Sequence, residues 1–477
     1  MIAEKVLGVG KRNKEKKAIV YKGCSITYGE LSAKIEEARE IIRSLGLSKG
    51  EPLGIGLKNS PEFMIYLFAS ELEGHTAVLL SAKLIASELK YHINNSGIQY
   101  CVVDKDSQEY VELGKVCHSS NDNSVIYKMH STSKKEIYQP GDFICQLTSG
   151  TNGKEKGVIR TSEGVELEIE ETVAMMDVSL EDNFLTIPPL CHSFGLIAGA
   201  LLPLCYGCTL VLLEEFSPGK VAKLIEEQKI SVMFAVPFMY KLLVSSRYSR
   251  DDYFNSLKKC ISAGAPLPKE VHERFYQLAS VQIMQDYGST ETGVMALNID
   301  PMHSRGSVGK TVGSRQFKVE EKEEVEGVDR KLYRFYTKSK CDLRRYAYPE
   351  SENIKLRDGW VGLGDYGYID EDGNIYVLGR EIAMINVGGL KVDPAEVERV
   401  ILEISEVDEV VVVGQKSDVY GEIVKAYVKK KGNITEQEIR EYCVGKLGLH
   451  KIPKSIEFID QIPKSETGKI RRKYLVD

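Results

Sequence analysis

From residue 148 to 158 the chain reads Thr148-Ser149-Gly150-Thr151-Asn152-Gly153-Lys154-Glu155-Lys156-Gly157-Val158. Three glycines, three small hydroxyl residues and two lysines share this one stretch. Glycine lets a backbone approach a ligand closely, hydroxyls add donors and lysines add positive charge. Such a set can hold a polyphosphate. A solvated polar turn has the same composition. A Walker loop is excluded, because Gly, four residues, then Gly-Lys is required, and counting from Gly150 reaches Glu155. Gly8-Val9-Gly10 and Gly54-Ile55-Gly56 do not complete G-x-G-x-x-G, and both read as ordinary turns.

Other reactive side chains stand singly. His192, Glu291, Asp365 and Lys469 each suit a structural or surface position when taken alone. Cys205 and Cys208 form a C-x-x-C, but inside the apolar run Leu201 to Leu213, broken at Gly207. That reads as a helix end turning into a buried strand, and neither a second C-x-x-C nor a paired histidine completes a metal site.

These residues need elements to position them. Asp142 to Leu147 reads as a short buried strand holding the glycine-rich loop at its end. A helix from about Tyr28 carries Leu31, Ile35, Ala38, Ile41, Ile42 and Leu45 at helical spacing and closes at Gly46. Strands over Pro52–Leu57, Ala77–Leu80 and Tyr100–Val103 alternate with helices over Phe63–Leu72 and Ala86–Asn95. Alternation resumes with a helix over Glu163–Met176 and strands over Asn183–Ile187, Val232–Val236 and Lys259–Ser262, with a helix over Val221–Gln228 and an apolar helix-like run over Leu196–Leu204. This order predicts parallel sheets with helices on their faces and ligands at the strand ends. Near residue 310 the pattern changes to antiparallel strands over Gln316–Glu324 and Lys331–Thr337. After Gly379-Arg380 comes a small α+β domain of roughly a hundred residues. It has a helix from Pro394, strands over Glu409–Val413 and Ile423–Val428, and a capping box from Thr435 to Glu438.

At 477 residues about two to four domains are expected. With 43% hydrophobic and 28% charged residues, the composition is that of a soluble globular protein. A net charge of -6 implies no general attraction to nucleic acid or anionic membranes. The basic run Lys11 to Lys17 reads as a solvated loop. No signal peptide is visible, and no apolar stretch reaches spanning length. The ten cysteines follow no disulfide pattern, which predicts free thiols in a reducing compartment and a cytoplasmic protein.

Taken in order, the motifs resemble those of the adenylate-forming superfamily: acyl- and aryl-CoA synthetases, nonribosomal peptide synthetase adenylation domains and firefly-type luciferases. The resemblance runs from Thr27-Tyr28-Gly29-Glu30-Leu31 to Lys469. The opening loop resembles the family's T-S-G-[ST]-T-G-x-P-K-G-V loop, with Asn152 for a Thr and Glu155 for the Pro. By this resemblance Thr148, Ser149, Gly150, Thr151, Gly153, Lys154 and Lys156 hold the β- and γ-phosphates of ATP. Ser262 to Leu267 resembles the adenine-binding segment, placing Gly264, Ala265 and Pro266 against the base. Asp286-Tyr287-Gly288-Ser289-Thr290-Glu291 resembles Y-G-x-T-E: Tyr287 would stack on adenine, Thr290 contact the α-phosphate and Glu291 ligate Mg²⁺. Leu363-Gly364-Asp365 resembles T-G-D, whose Asp365 would take the ribose hydroxyls, with Leu363 for the usual Thr. Arg380 matches the arginine closing the nucleotide site, and Lys469, in Pro463 to Ile470, the catalytic lysine.

The resemblance implies an α/β fold: a large N-terminal domain, residues 1–379, of doubly wound sheets plus a β-rich subdomain, and a small mobile α+β C-terminal domain, residues 380–477. It implies attack of a small-molecule carboxylic acid on ATP, giving acyl-AMP and pyrophosphate, then transfer to a thiol after the small domain rotates. Ile382 stands at the family's hinge position, usually Asp or Lys. Ile385 to Val392, with Gly388, Gly389 and Lys391, is similar to the hairpin that admits a pantetheine arm. His192, in Pro189 to Leu196, matches the residue bordering the acid's carboxylate. Amino-acid-activating members place Asp where this chain has Ser193, which argues against an ordinary α-amino acid. Asp286 is more polar than the small residue common there, and is compatible with a polar or cationic substrate group or with solvent. Three activities stay open: a CoA ligase using ATP, Mg²⁺ and CoA; an enzyme loading the phosphopantetheine of an acyl or peptidyl carrier protein; and a non-catalytic nucleotide-binding protein.

Overall fold

The computed structural model describes residues 1–475 except 85, 120–122, 131–136, 150–154, 249, 323–330, 349–356, 381–384, 388–389, 418–420, 445 and 466–469. The chain forms two compact units. The first comprises Met1–Phe317 with Thr337–Val361, and the second Lys318–Tyr336 with Gly362–Asp477.

The first unit is built on a nine-stranded and an eight-stranded sheet. In the larger sheet the strands Ile283–Ser289, Lys259–Ser262, Val232–Ala235, Asn183–Thr186, Thr209–Leu212 and Lys17–Tyr21 lie side by side in parallel. In the smaller one Asp142–Ser149, Ala77–Leu79, Leu53–Gly56 and Tyr100–Asp104 are parallel neighbours. The alternation along the sequence is thus realised as parallel sheets. One core cluster takes strand residues from both sheets, such as Phe184, Phe234, Ile55 and Ile144, together with helix residues such as Leu31, Phe63, Val165 and Leu196. Helices therefore fill the space between the sheets. Successive strand residues face opposite ways: Phe184 joins the inner cluster, whereas Leu185 joins an outer one with Val221, Tyr240 and Phe275.

Local signals explain the helix boundaries. Thr27 accepts from the backbone N–H of Glu30, and Glu30 Oε2 accepts from that of Thr27 at 2.7 Å, the reciprocal cap that starts Tyr28–Ser44. Ser60 caps the helix Pro61–Glu73, Pro61 opens its first turn and Gly74 ends it in a left-handed conformation. Its Phe63, Met64, Leu67 and Phe68 are buried between the sheets, each contributing about 1.5–3 kcal/mol by transfer from water.

The structure differs from the sequence expectations at three places. Gly8 and Gly10 lie within the helix Ile2–Arg12, not in a turn, and Lys11 and Arg12 end that helix. The helix forms because Ile2, Ala3, Val6 and Val9 pack into the core, and because Glu71 accepts from the N–H groups of Ile2 and Ala3 at 3.2 and 2.7 Å. Gly54 and Gly56 lie within the buried strand Leu53–Gly56, paired on both sides, so the strand expected over Pro52–Leu57 forms and the turn at Gly54-Ile55-Gly56 does not. The apolar run Leu196–Leu204 is a π-helix, Phe194–Leu201, continued by the α-helix Leu202–Tyr206.

The second unit holds a four-stranded sheet of Gln316–Lys322, Leu332–Lys338, Val361–Ile369 and Ile375–Arg380, whose first and third strands begin in the first unit and whose second ends there. It also holds a five-stranded sheet around the long antiparallel pair Val407–Ser417 and Gly421–Lys430. The helices Pro394–Leu402 and Glu436–Cys443 pack on that sheet through Val397, Ile401, Ile439 and Cys443. The cap at Thr435 forms with Glu438 as the spacing predicts. Among the described residues no helix is long and apolar enough to cross a membrane.

Candidate active site

Within the first unit, three motif segments follow the carboxyl ends of strands in the larger sheet. Lys259–Ser262 runs into the loop with Gly264, Ala265 and Pro266, all three exposed. Its parallel neighbour Ile283–Ser289 carries Asp286, Tyr287, Gly288 and Ser289 and delivers Thr290 and Glu291. Asn183–Thr186 leads to His192. Ligands of open α/β sheets bind at such ends. Gly264 has φ +87°, a left-handed conformation that favours glycine. At Gly288 a Cβ would lie 2.2 Å from the carbonyl oxygen of Gly293, so the turn's approach to its own backbone requires glycine there.

The glycine-rich loop is the tip of a hairpin on the smaller sheet. Ser149 pairs with Glu155 and Thr148 with Lys156, and the tip residues Gly150, Thr151, Gly153 and Lys154 lie outside the described residues. So do the side chains of Ser149 and Glu155. Lys156 is buried, with its ammonium 5.2 Å from the centre of the Tyr346 ring. The Tyr346 hydroxyl donates to Glu291 Oε1 at 3.4 Å. Lys156 and Glu291, given separate roles from sequence, thus meet on opposite parts of one aromatic ring.

The turn Thr290-Glu291-Thr292 is held by its carbonyls. Arg160 Nη1 reaches the oxygen of Thr290 at 3.5 Å, the N–H of Leu343 donates to that of Glu291 at 2.6 Å, and Arg315 Nη2 to that of Thr292 at 2.7 Å. Both arginines are buried and ion-paired: Arg160 with Glu168 and Arg315 with Asp342, each at 2.5 Å. Glu168 also accepts from the N–H of Val294 at 3.0 Å. Burial raises the Asp342 carboxyl despite the pull of Arg315.

Gln146 links the hairpin to the His192 turn. It is fully buried; its Nε2 donates to the carbonyl of Cys191 at 3.2 Å, and its Oε1 accepts from Ser193 Oγ at 2.6 Å. His192 itself is half-buried and starts the π-helix through its carbonyl, which accepts from Leu196 N–H at 2.9 Å. Asp286 retains some surface, but burial of its carboxyl, seconded by the charge of Glu168, pushes it up to about 8.

None of Arg160, Glu168, Arg315, Asp342, Tyr346 and Gln146 is singled out by the sequence reading. A signal existed for two of them. Gln146 sits between Cys145 and Leu147, and Arg160 follows Val158-Ile159, so each is a polar residue in an apolar strand. Such a residue is expected to have a partner.

In the second unit Asp365 is buried in Val361–Ile369 and lies opposite Arg380 in the antiparallel register. The side chain of Arg380 lies outside the described residues. Tyr366 donates to Asp393, whose other oxygen caps the helix Pro394–Leu402. The strands Ile385–Val387 and Leu390–Val392 form the expected hairpin; its tip, Gly388 and Gly389, and the side chain of Lys391 lie outside the described residues. So do Ile382 and Lys469; Lys464, bridged to Ile470 and ion-paired with Glu409, frames the segment around Lys469.

Cys205 and Cys208 are free thiols on either side of the left-handed Gly207, and burial pushes both up to about 12. Thiols held that far up are poor candidates for a redox pair at neutral pH. Among the described residues no three or more His, Cys, Asp or Glu side chains group as metal ligands. Magnesium that leans on substrate phosphates and water needs only one or two carboxylates, and Glu291 is the residue that would supply one. A cavity of about 530 Å³ opens beside Asp342, Leu343 and Arg344 and is lined by none of the residues marked from sequence.

Residues 8–331 match the family described as AMP-binding enzyme, and residues 396–469 the AMP-binding enzyme C-terminal domain. A long-chain-fatty-acid–CoA ligase of Mycobacterium tuberculosis is 29% identical over 94% of this chain and 92% of its own length. The 2-succinylbenzoate–CoA ligase of Bacillus subtilis is 28% identical over 97% and 95%. The solved o-succinylbenzoate CoA synthetase of Bacillus subtilis, in complex with its acyl-adenylate intermediate, superposes with a TM-score of 0.85 at 27% identity, covering 99% of this chain and 98% of that one. ATP-bound MatB of Rhodopseudomonas palustris shares the fold, with a TM-score of 0.87 at 23% identity over 100% and 98%. With two thirds of its length in one family match, its C-terminal part in the companion match and its motifs in order at the strand ends, this chain belongs to the family of AMP-binding enzymes.

Proposed function

We propose that the chain activates a carboxylic acid with ATP and transfers the acyl group to the thiol of CoA. The acid's carboxylate attacks the α-phosphorus, the bond to the bridging oxygen breaks, and pyrophosphate leaves. The CoA thiol then attacks the acyl carbon and AMP leaves. No covalent nucleophile from the protein is needed; positioning and charge neutralisation do the work. Magnesium, when bound, neutralises phosphate charge. Thr148 and Lys156 act on the β- and γ-phosphates, Thr290 on the α-phosphate and Glu291 on the cation. Tyr287 and the loop at Gly264 hold adenine, Asp365 and Arg380 the ribose side, His192 borders the acid and Lys469 neutralises the meeting carboxylate and phosphate.

The observation that supports this reading most is the convergence of Lys156 and Glu291 on Tyr346, which puts the phosphate hairpin beside the candidate cation ligand. The relatives named above are ligases for a long-chain fatty acid and for 2-succinylbenzoate. Ser193, whose hydroxyl donates to Gln146, offers no carboxylate for an amino group, which favours an acid other than an α-amino acid. All ten cysteines are free, which supports a cytoplasmic setting.

A panel of carboxylic acids assayed for pyrophosphate release tests the reading, with CoA offered as acceptor and then a holo-carrier protein. CoA thioester formation is the expected outcome; transfer to the carrier alone would replace CoA as the acceptor. Lys469→Ala should abolish adenylation yet spare ATP binding, and undiminished turnover would sink the assigned role.

A further inference from the structure

The segment Asp342–Tyr346 touches both halves of the phosphate side of the site. Toward the Glu291 turn, Asp342 pairs with Arg315, which holds the Thr292 carbonyl; Leu343 N–H holds the Glu291 carbonyl; and the Tyr346 hydroxyl holds Glu291 Oε1. Toward the hairpin, Arg344 N–H donates to the carbonyl of Ile159 at 2.9 Å, and Tyr346 pairs in register with Val158. Arg344 and Arg345 both pair with Asp142, at 3.2 and 2.6 Å, at the base of the strand that rises to the glycine-rich loop. The carboxylate of Asp142 is fully buried, so these bonds sit at a fixed point of the sheet.

We propose that Asp342–Tyr346 is a strut that sets the spacing between the phosphate hairpin and Glu291, and that Tyr346 is a positioning residue for the divalent cation that accompanies ATP. This rests on Glu291 being the cation's ligand. A carboxylate on a turn can rotate freely unless something holds it. Here the hydroxyl donates a long hydrogen bond to Oε1, at 3.4 Å, while Oε2 of the half-buried Glu291 has no hydrogen-bond partner among the described residues. One oxygen is oriented by the hydroxyl and the other is left for a hard cation. The same ring carries the Lys156 ammonium over its face. One rigid side chain thereby separates a cation for phosphate from an anion for metal. The ring's position comes from the strand Arg345–Tyr348, not from either motif, so neither motif alone sets their spacing.

The test compares Tyr346→Phe, which keeps the ring and loses only the hydroxyl, with Tyr346→Leu, which loses both. The readout is calorimetric affinity for a non-hydrolysable ATP analogue, with Mg²⁺ and with EDTA. Tyr346→Phe should keep its affinity in EDTA and lose about 2–10-fold of the gain that Mg²⁺ confers, the scale of one ordinary hydrogen bond. Tyr346→Leu should weaken binding in both conditions, since Lys156 loses its seat. In turnover, Tyr346→Phe should raise the Mg²⁺ concentration for half-maximal rate and leave the KM for the acid unchanged. Equal losses with and without Mg²⁺, or no loss, would overturn the inference. Glu291→Gln separates the two readings. If it abolishes the Mg²⁺ gain while Tyr346→Phe does not, only the strut fails. If it leaves the gain intact, Glu291 is not the ligand and both fall.

Discussion

Arg160 Nη2 lies 2.5 Å from Glu168 Oε2, and the arginine side chain has no exposed surface at all. The pair joins the strand that leaves the glycine-rich loop to the helix Ser162–Met176, and it backs the turn that presents Glu291. Removing one partner strands a buried charge, which typically costs about 3–5 kcal/mol, whereas replacing both is often far milder. Glu168→Gln should therefore destabilise the first unit strongly. Arg160→Met added to it should recover a large part, because Gln still accepts from Val294 N–H. Denaturant unfolding followed through the chain's single tryptophan, Trp360 in that unit, checks this. A double variant less stable than the single one would contradict it.

Asp286 gives the first unit a pH dependence with a definite sign. Its carboxyl, raised from 3.8 to about 8, stays protonated in the folded chain where the unfolded chain has lost the proton. The stability this contributes is complete below the unfolded value and is lost as pH rises from about 4 toward 8. Asp286→Asn, always neutral, should match the parent at acid pH, become progressively more stable than it between about pH 4 and 8, and keep a constant advantage above that. Melting temperatures of both proteins from pH 4 to 9 give the answer; a difference constant over that whole range would rule out the raised carboxyl.

Lys156 is buried at the foot of the loop, so its ammonium is held by neighbours, not by solvent. Lys156→Met keeps the length and apolar stem and removes the charge. A charge-assisted contact of about 1.5–3 kcal/mol corresponds to roughly 10–100-fold in affinity. The KM for ATP should rise on that scale while the KM for the acid stays near the parent value. A rise confined to the acid would move Lys156 out of the phosphate site.

The thiols divide by environment. Cys24 and Cys117 are exposed, whereas Cys205 and Cys208 are pushed up to about 12 by burial. Brief alkylation of the native protein at neutral pH, read by peptide mass spectrometry, should label Cys24 and Cys117 and spare Cys205 and Cys208. Rapid modification of the latter pair, or a disulfide between them, would revive the redox reading of the C-x-x-C.

The sequence by itself determined the features whose causes act within a turn or two of chain. Thr27 with Glu30 and Thr435 with Glu438 start their helices because the cap bonds span three residues. Apolar periodicity and strand–helix alternation determined the parallel sheets, and the ordered motifs carried the family resemblance. The tertiary structure alone decided what holds the motifs. Glu71 caps the helix at Ala3 from 68 residues away, and Arg160 reaches Thr290 from 130 away. Tyr346 meets Glu291 from 55 residues away, and no periodicity encodes that distance. A carboxylate, a guanidinium or a hydroxyl in a buried helix or strand announces that a partner exists. Which partner it finds depends on how the sheets stack, and that is settled only when the whole core closes.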